Sequence, residues 1–290
     1  IVSRVVLKNW RNFQRVDVKI TDRVFLVGPN ASGKSNFLDV FRFLRDIAKP
    51  GGGLQKAVGD RGGITKIRCL AARSDPTVEI EVYLSESVDK DPKWRYAIGI
   101  KQEVRGYRQP YLTHEIVYNG NDNVINRPDE EDKNDKLRLT QTHLEQINAN
   151  IDFREIANFF ESVQYLHIIP QLLRHPEAFP GPEIPGDPFG RKFLDRIAKT
   201  EERVRRSRLK KIEKALQTAV PQLTDLSFIK DEVGVPHLEA KYEHWRPKAG
   251  KQREDQFSDG TLRLIGLLWS LLEGESLLLL EEPELSLNSG

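Results

Sequence analysis

The sequence predicts an α/β fold, and three observations carry that prediction. The apolar run Val24-Phe25-Leu26-Val27 leads directly into Gly28-Pro29-Asn30-Ala31-Ser32-Gly33-Lys34-Ser35, a complete GxxxxGK(S/T) string. Towards the other end, Leu277-Leu278-Leu279-Leu280 runs into Glu281-Glu282-Pro283. Between them, the segments 65–72, 77–84, 94–102 and 110–118 have period-two character, as half-buried antiparallel strands require.

Each element follows from local chemistry. Residues 2–8 and 15–20 read as short strands around the turn Asn9-Trp10-Arg11-Asn12-Phe13, and 24–27 as a third strand ending at the glycine-rich string. Phe37, Phe41, Leu44 and Ala48 then recur at spacings of three and four, a helix that Pro50 and Gly51-Gly52-Gly53 stop. In 77–84, Val78, Ile80, Val82 and Leu84 alternate with polar neighbours. The charged run Arg127 to Lys136 reads as a solvated loop without chemistry. A helix is predicted over 141–162, a strand over Val163–Ile169, and a mobile linker through Pro176, Pro180, Pro182, Pro185 and Pro188. One long helix starts at 191, with Leu209, Ile212, Leu216 and Val220 as its buried stripe. The strands 226–231 and 235–245 form a hairpin turning at Gly234.

A strand feeding a glycine-rich turn and then a helix points several backbone N–H groups into one concavity, where triphosphate oxygens can sit. Gly28 and Gly33 remove Cβ atoms that would block close approach, Lys34 can reach the β- and γ-phosphates, and the Ser35 hydroxyl can bind Mg²⁺. Pro29, Asn30, Ala31, Ser32 and Asn36 complete the nucleotide-binding stretch. The four leucines fit a strand of a parallel sheet, where ligands bind outside the carboxyl ends, so Glu281 and Glu282 are predicted to share the crevice of the phosphate loop. One can serve the Mg²⁺ shell and the other can orient or deprotonate the attacking water. Ser258-Asp259-Gly260-Thr261 opens an apolar helix whose first N–H groups form a second anion site, or simply an ordinary N-cap.

Composition narrows the class. The chain has 290 residues, 38% hydrophobic and 30% charged, and no apolar run long enough to cross a bilayer. Its start has no secretory-signal pattern, so a cytoplasmic setting without membrane contact is expected. The lone Cys69 excludes an internal disulfide and reads as a packing residue. Methionine is absent altogether.

Leu7-Lys8-Asn9-Trp10-Arg11-Asn12-Phe13, the phosphate loop, Phe257-Ser258-Asp259-Gly260-Thr261 and the segment Leu277 to Glu284 together resemble the ABC-type ATPase heads of the SMC and RecF kind. More closely, they resemble bacterial ATPases related to the overcoming-lysogenisation-defect group. The resemblance implies a P-loop NTPase, ABC-type head with a mostly parallel core sheet, an antiparallel β subdomain and a helical insertion. The nucleotide-binding core would comprise 1–60 and 226–290, the β subdomain 61–140, and the insertion 141–225. Lys34 and Glu281 lie 247 residues apart, a separation that suits this family better than ring-forming AAA+ motors. It further implies ATP and Mg²⁺ as cofactors and a homodimer in which Ser258, Asp259, Gly260 and Thr261 cap the γ-phosphate held by the partner.

Carried over by position, Arg11 and Asn12 line the nucleotide or form an ordinary polar turn, Gln171 senses the metal with Ser35 and Glu281, and Glu282 is the base with Lys34 as catalytic cation. Three departures stand out. Asp259 replaces a glycine of the usual signature, where a carboxylate repels a γ-phosphate unless it points away. Glu281 replaces an aspartate, which leaves the division of roles between the two glutamates open. The chain stops at Gly290, before the family's switch histidine and last strands, so a truncated head with impaired hydrolysis is expected.

Residues 191–214 carry 11 basic and four acidic side chains, enough for sequence-independent contact with DNA or for a solvated helix face. The resemblance implies an ATPase acting on DNA or a DNA-processing partner such as a nuclease, in repair or anti-phage defence. The alternatives are a nucleotide-gated, non-catalytic switch for a partner effector and, ranked below it, the ATP-binding subunit of a transporter.

Overall fold

The alternation Val78, Ile80, Val82, Leu84 is buried position by position, and the sheet it belongs to organises the first half of the chain. A computed structural model describes residues 1–72, 75–104, 106–181, 184–243, 250–274 and 276–283. The chain divides into two units, Ile1–Val163 and Gln164–Gly290.

In the first unit, β1 (Val2–Trp10), β2 (Phe13–Lys19), β3 (Val78–Leu84), β4 (Trp94–Gln102), β5 (Pro110–Asn119) and β6 (Asp122–Arg127) form one antiparallel sheet in the order β2-β1-β3-β4-β5-β6. Helices α1 (Lys34–Ala48), α2 (Leu54–Gly59), α3 (Ile64–Ile67), α4 (Glu130–Asn134) and α5 (Arg154–Ser162) accompany it. Phe37, Phe41, Leu44 and Ile47 of α1 are buried, each such side chain stabilising the fold by about 1.5–3 kcal/mol.

Four expectations fail in this unit. Residues 24–27 form no strand, and Phe25 and Val27 are 87% and 92% exposed; an apolar run becomes a strand only when another backbone supplies its hydrogen bonds, and no ladder to it exists among the described residues. Most of 65–72 is not extended, because Gly63 opens the single turn of α3 and only Arg68 makes a bridge, to Trp10. The predicted helix 141–162 is helical from Arg154, preceded by a 3₁₀ turn at Ile151–Phe153. The charged run 127–136 is largely exposed, but part of it forms α4 and two of its charged side chains are buried. Arg127 is 2% exposed and donates to the fully buried Asp132 and Glu115 at 2.8–3.0 Å. Cys69 is buried and free, as a packing residue should be, though it lies in irregular chain after α3.

The second unit contains β7 (Gln164–Leu166), α6 (Pro170–Arg174), α7 (Phe193–Lys199), α8 (Glu202–Leu216), β8 (Leu223–Lys230), β9 (Pro236–Tyr242), β10 (Gln252–Arg253), α9 (Asp259–Glu273) and β11 (Leu278–Leu280). Strands β10-β9-β8 make an antiparallel sheet, and β8 and β9 turn at Gly234, whose φ of 88° favours glycine. β11 pairs with β7 in parallel, the one parallel ladder among the described residues. The predicted helix from 191 is two helices. Thr200 is extended, and Glu201 caps the second by accepting from the Arg203 N–H at 3.2 Å. Leu209, Ile212 and Leu216 of α8 are buried with Ile265 and Trp269 of α9 in one core. Pro182, His244, Trp245 and Glu284 lie outside the described residues.

Candidate functional site

The turn between β1 and β2 sits against the glycine-rich loop, and Trp10 fixes it there. Its ring is fully buried 5.3 Å from that of Phe43, and its Nε1 donates to the carbonyl of Asn36 at 2.7 Å. The turn is tight enough to need left-handed backbone at Asn9 (φ 56°) and Arg11 (φ 54°). Asn12 then reaches the loop, donating to Ser32 O at 3.1 Å and accepting from Asn36 Nδ2 at 2.9 Å.

The loop glycines are closely approached, and the backbone requires glycine at Gly33. A Cβ on Gly28 would lie 2.8 Å from Ser32 Oγ. One on Gly33, where φ is 106°, would lie 2.4 Å from Asn12 Nδ2 and 2.8 Å from the Phe13 ring. Gly33 caps the N-terminus of α1, and Ala31 also takes positive φ (63°), so the backbone of the loop is held in a conformation side chains disfavour. Lys34 folds back over the loop, its Nζ donating to Gly28 O at 2.7 Å and Pro29 O at 3.0 Å. These residues fit a triphosphate: a cradle that a Cβ would fill, at the positive end of a 15-residue helix, and an ammonium satisfied by loop carbonyls that anionic oxygens can replace.

Arg11 is committed elsewhere. Its guanidinium donates to Asp39 Oδ2 at 2.9 Å and to Lys66 O at 3.2 Å. Burial works against the charge of Asp39, but Arg61 and Arg11 outweigh it and hold the carboxyl below its ordinary range. Arg11 therefore ties the turn to α1, while Asn12 alone of the pair touches the loop.

In the second unit, the parallel ladder sets out the acidic end. Glu281 N donates to Leu166 O at 3.0 Å, and the Tyr165 hydroxyl on β7 bonds the Glu281 carboxylate. Glu282 follows with φ 48°, its carbonyl accepting from Arg263 NH1 at 2.9 Å. Arg263 is buried on α9 at 7% exposure. Strained non-glycine backbone of this kind costs about 1–3 kcal/mol and collects at functional sites.

The segment Ser258 to Thr261 does form a helix start. Ser258 Oγ accepts from Thr261 N at 3.1 Å and pairs with Thr261 Oγ1 at 2.9 Å. Asp259, the residue that departs from a glycine, is bound by α6. Gln171 Nε2 donates to its Oδ2 at 2.9 Å and Arg174 NH2 to its Oδ1 at 2.8 Å, while the same NH2 donates to Phe257 O at 2.7 Å. Its charge thus meets a cation. The sequence singles out Gln171 and Asp259 separately and Trp10 only as part of the first turn, and it gives no role to Arg174, Arg263 or Tyr165. The charged type of Arg263 inside an otherwise apolar helix was the available signal.

Several cations of 191–214 serve the fold. Arg205 donates to Ala198 O and Thr200 O and lies 4.2 Å from the Phe228 ring centroid. Arg208 lies over Trp269, and Arg206 pairs with Glu202 at 2.6 Å. Among the described residues, no group of three or more His, Cys, Asp or Glu side chains could hold a metal by itself, and no helix is long and apolar enough to cross a membrane.

Comparison with known proteins extends this geometry. A family model described as "AAA domain, putative AbiEii toxin, Type IV TA system" matches residues 23–289. The DNA replication and repair protein RecF of Roseiflexus castenholzii is 28% identical over 116 residues, 37% of this chain and 28% of that protein. Endonuclease GajA of Bacillus cereus is 41% identical over 44 residues, 15% of this chain and 8% of that protein. The chain thus matches less than a third of the length of either relative.

Among solved structures, the Smc head bound to the C-winged helix domain of ScpA shares 16% identity at a TM-score of 0.52, over 93% of this chain and 76% of that one. The Smc head with an extended coiled coil bound to the C-terminal domain of ScpA, from Pyrococcus furiosus, shares 12% at a TM-score of 0.50, over 99% and 83%. At these identities the likeness shows the fold, which is that of an ABC-type P-loop head. The chain belongs to the AAA-domain family whose model spans residues 23–289, and over parts of its length it is similar to RecF and to the endonuclease GajA.

Proposed function

We propose that the chain binds Mg-ATP at Gly28 to Ser35 and hydrolyses it, with two heads closing around two nucleotides. The observation that carries this reading is the cradle itself, in which the positive φ at Gly33 requires glycine and the Lys34 ammonium rests on carbonyls that a triphosphate can supplant. Backbone N–H groups of the loop bind phosphate oxygens, and Asn12 steadies Ser32 beside them. Lys34 offsets the charge that develops on the transferred phosphoryl group. Ser35, Glu281 and Gln171 are the residues that would hold magnesium, which would supply charge neutralisation there. Glu282 takes the proton of the attacking water, and Ser258, Asp259, Gly260 and Thr261 meet the neighbour's nucleotide.

The same reading places the ATPase on DNA or beside a DNA-processing partner such as a nuclease, supported by the similarity to a DNA replication and repair protein and to an endonuclease and by the basic stretch 191–214. Equilibrium binding of ATP, phosphate release and gel filtration test it together. Lys34→Ala is expected to abolish ATP binding, and Glu282→Gln to bind ATP, stop phosphate release and accumulate a dimer. A Glu282→Gln variant that holds ATP as a monomer refutes the closed pair; undiminished ATP binding by Lys34→Ala refutes the site. Robust phosphate release by the unaltered chain excludes a purely non-catalytic switch.

A further inference from the structure

The proline-rich stretch after α6 is held by hydrogen bonds at its far end. Pro188 O accepts from His167 N at 2.7 Å and Phe189 O from Ile169 N at 3.1 Å, so this stretch lies alongside the chain that continues β7. Asp187 accepts from Lys192 N at 2.9 Å, and Arg191 NH1 donates to Gly181 O at 2.9 Å. Tied in this way, the stretch walls a recess of about 1000 Å³ within the second unit, a volume at the upper end of the range of small-molecule sites.

Two kinds of group line the recess. Leu172, Phe179, Ile184 and Phe189 give it an apolar wall, on which Phe179 and Ile184 are 48% and 51% exposed. Arg196 and Arg208 enter from α7 and α8, and the last turn of α9 sets both. Arg208 lies 5.3 Å from the Trp269 ring centroid, and Arg196 NH2 lies 3.5 Å from Ser270 Oγ and from Glu273 Oε2. Glu273 also accepts from Trp269 Nε1 at 2.8 Å, so one carboxylate serves this whole turn. Arg191 and Lys192 also line the recess, against Asp187. Among the described residues Arg208 has no carboxylate partner and the buried Nε of Arg196 has no acceptor. A buried donor left without an acceptor is costly, and guanidinium groups bind anionic oxygens more strongly than neutral ones.

We infer that this recess binds a small organic anion with an apolar body, its carboxylate, sulfonate or phosphate group held by Arg196 and Arg208 and its body covered by Phe179 and Ile184. Both parts of the ligand are needed: an inorganic ion leaves the apolar wall bare, and a neutral apolar molecule leaves the guanidinium groups unanswered. The recess shares no residue with the phosphate loop, so it stands or falls independently of the Mg-ATP reading.

The probe is anilinonaphthalene sulfonate, a flat apolar body with one anionic group, titrated into the full chain and followed by its fluorescence. Phenylnaphthylamine, the same body without the charge, is its neutral counterpart. Saturable binding of one sulfonate dye per chain is expected, with the neutral dye about tenfold weaker, the scale of one charge-assisted hydrogen bond. Arg208→Gln and Ile184→Glu are each expected to weaken the sulfonate dye about tenfold with the far-UV circular dichroism unchanged. Ile184 is exposed, so its variant still decides the question where Arg208→Gln fails to fold. Phe25→Ser and Lys34→Ala, which alter the exposed apolar run and the phosphate loop, are expected to leave the dye affinity as it was. Wild-type affinity in Arg208→Gln and Ile184→Glu, equal binding of the two dyes, or loss of binding in Phe25→Ser or Lys34→Ala overturns the inference. Absence of saturable binding to the unaltered chain overturns it as well.

Discussion

Replacing Gly33 with alanine probes the contact between the first turn and the phosphate loop. The backbone at Gly33 has φ 106°, a region that costs an L-residue about 1–2 kcal/mol. The new Cβ would stand 2.4 Å from Asn12 Nδ2 and 2.7 Å from Oδ1, so the amide must swing away. It then loses its bond to Ser32 O and the one it accepts from Asn36, each with a net value of about 1 kcal/mol. The total is about 3–4 kcal/mol of stability in the first unit. Asn12→Ala loses the same two bonds and also clears most of the space, so the double variant is expected to lose about 3–4 kcal/mol, scarcely more than Gly33→Ala alone. Urea unfolding of the four proteins, followed by the fluorescence of Trp10 and Trp94, measures the cycle. A Gly33→Ala cost below about 1 kcal/mol, or strict additivity with Asn12→Ala, refutes the packing of the turn on the loop.

Two further outcomes concern buried charge. Arg127→Met leaves the fully buried Glu115 without its cation and Asp132 with Arg138 alone, and is expected to destabilise the first unit by about 3–5 kcal/mol in urea; a loss under about 1 kcal/mol refutes the network as the clamp on β6. In the second unit, His237 Nδ1 lies 2.7 Å from Glu254 and its Nε2 3.5 Å from Asp231, and these carboxylates outweigh burial to raise its pKa. A raised histidine stabilises fully below its ordinary value of about 6.5 and loses that contribution as pH climbs through the folded value. The gap in urea midpoint between the unaltered chain and His237→Gln is therefore expected to be widest below about pH 6.5 and to narrow towards pH 9; a pH-independent gap contradicts the pairing.

The antiparallel strands β3 to β5 were legible because a period of two admits one face to a core, α1 because its apolar residues recur at three and four before a glycine-rich stop, and α9 because a serine start precedes a helix apolar nearly all round. The glycine-rich loop was legible as chemistry, since few residue types satisfy its geometry. The failures share one cause. Val24 to Val27 has the composition of a strand but no ladder partner among the described residues, and a strand is a relation between two backbones. The run 127–136 has the composition of a solvated loop, yet Glu115 on β5 gathers Arg127 inward.

What the sequence determined by itself is therefore the antiparallel strands β3 to β5, the helices α1 and α9 and the chemistry of the phosphate loop, because these depend on residues within a few positions of each other. Only the tertiary structure decided which distant groups meet: Asn12 on Ser32, Arg11 on Asp39, and Gln171 and Arg174 on Asp259, the last pairings spanning 88 and 85 residues. Such contacts leave no period in the chain, since a hydrogen bond closed across a fold constrains the two side chains and nothing between them.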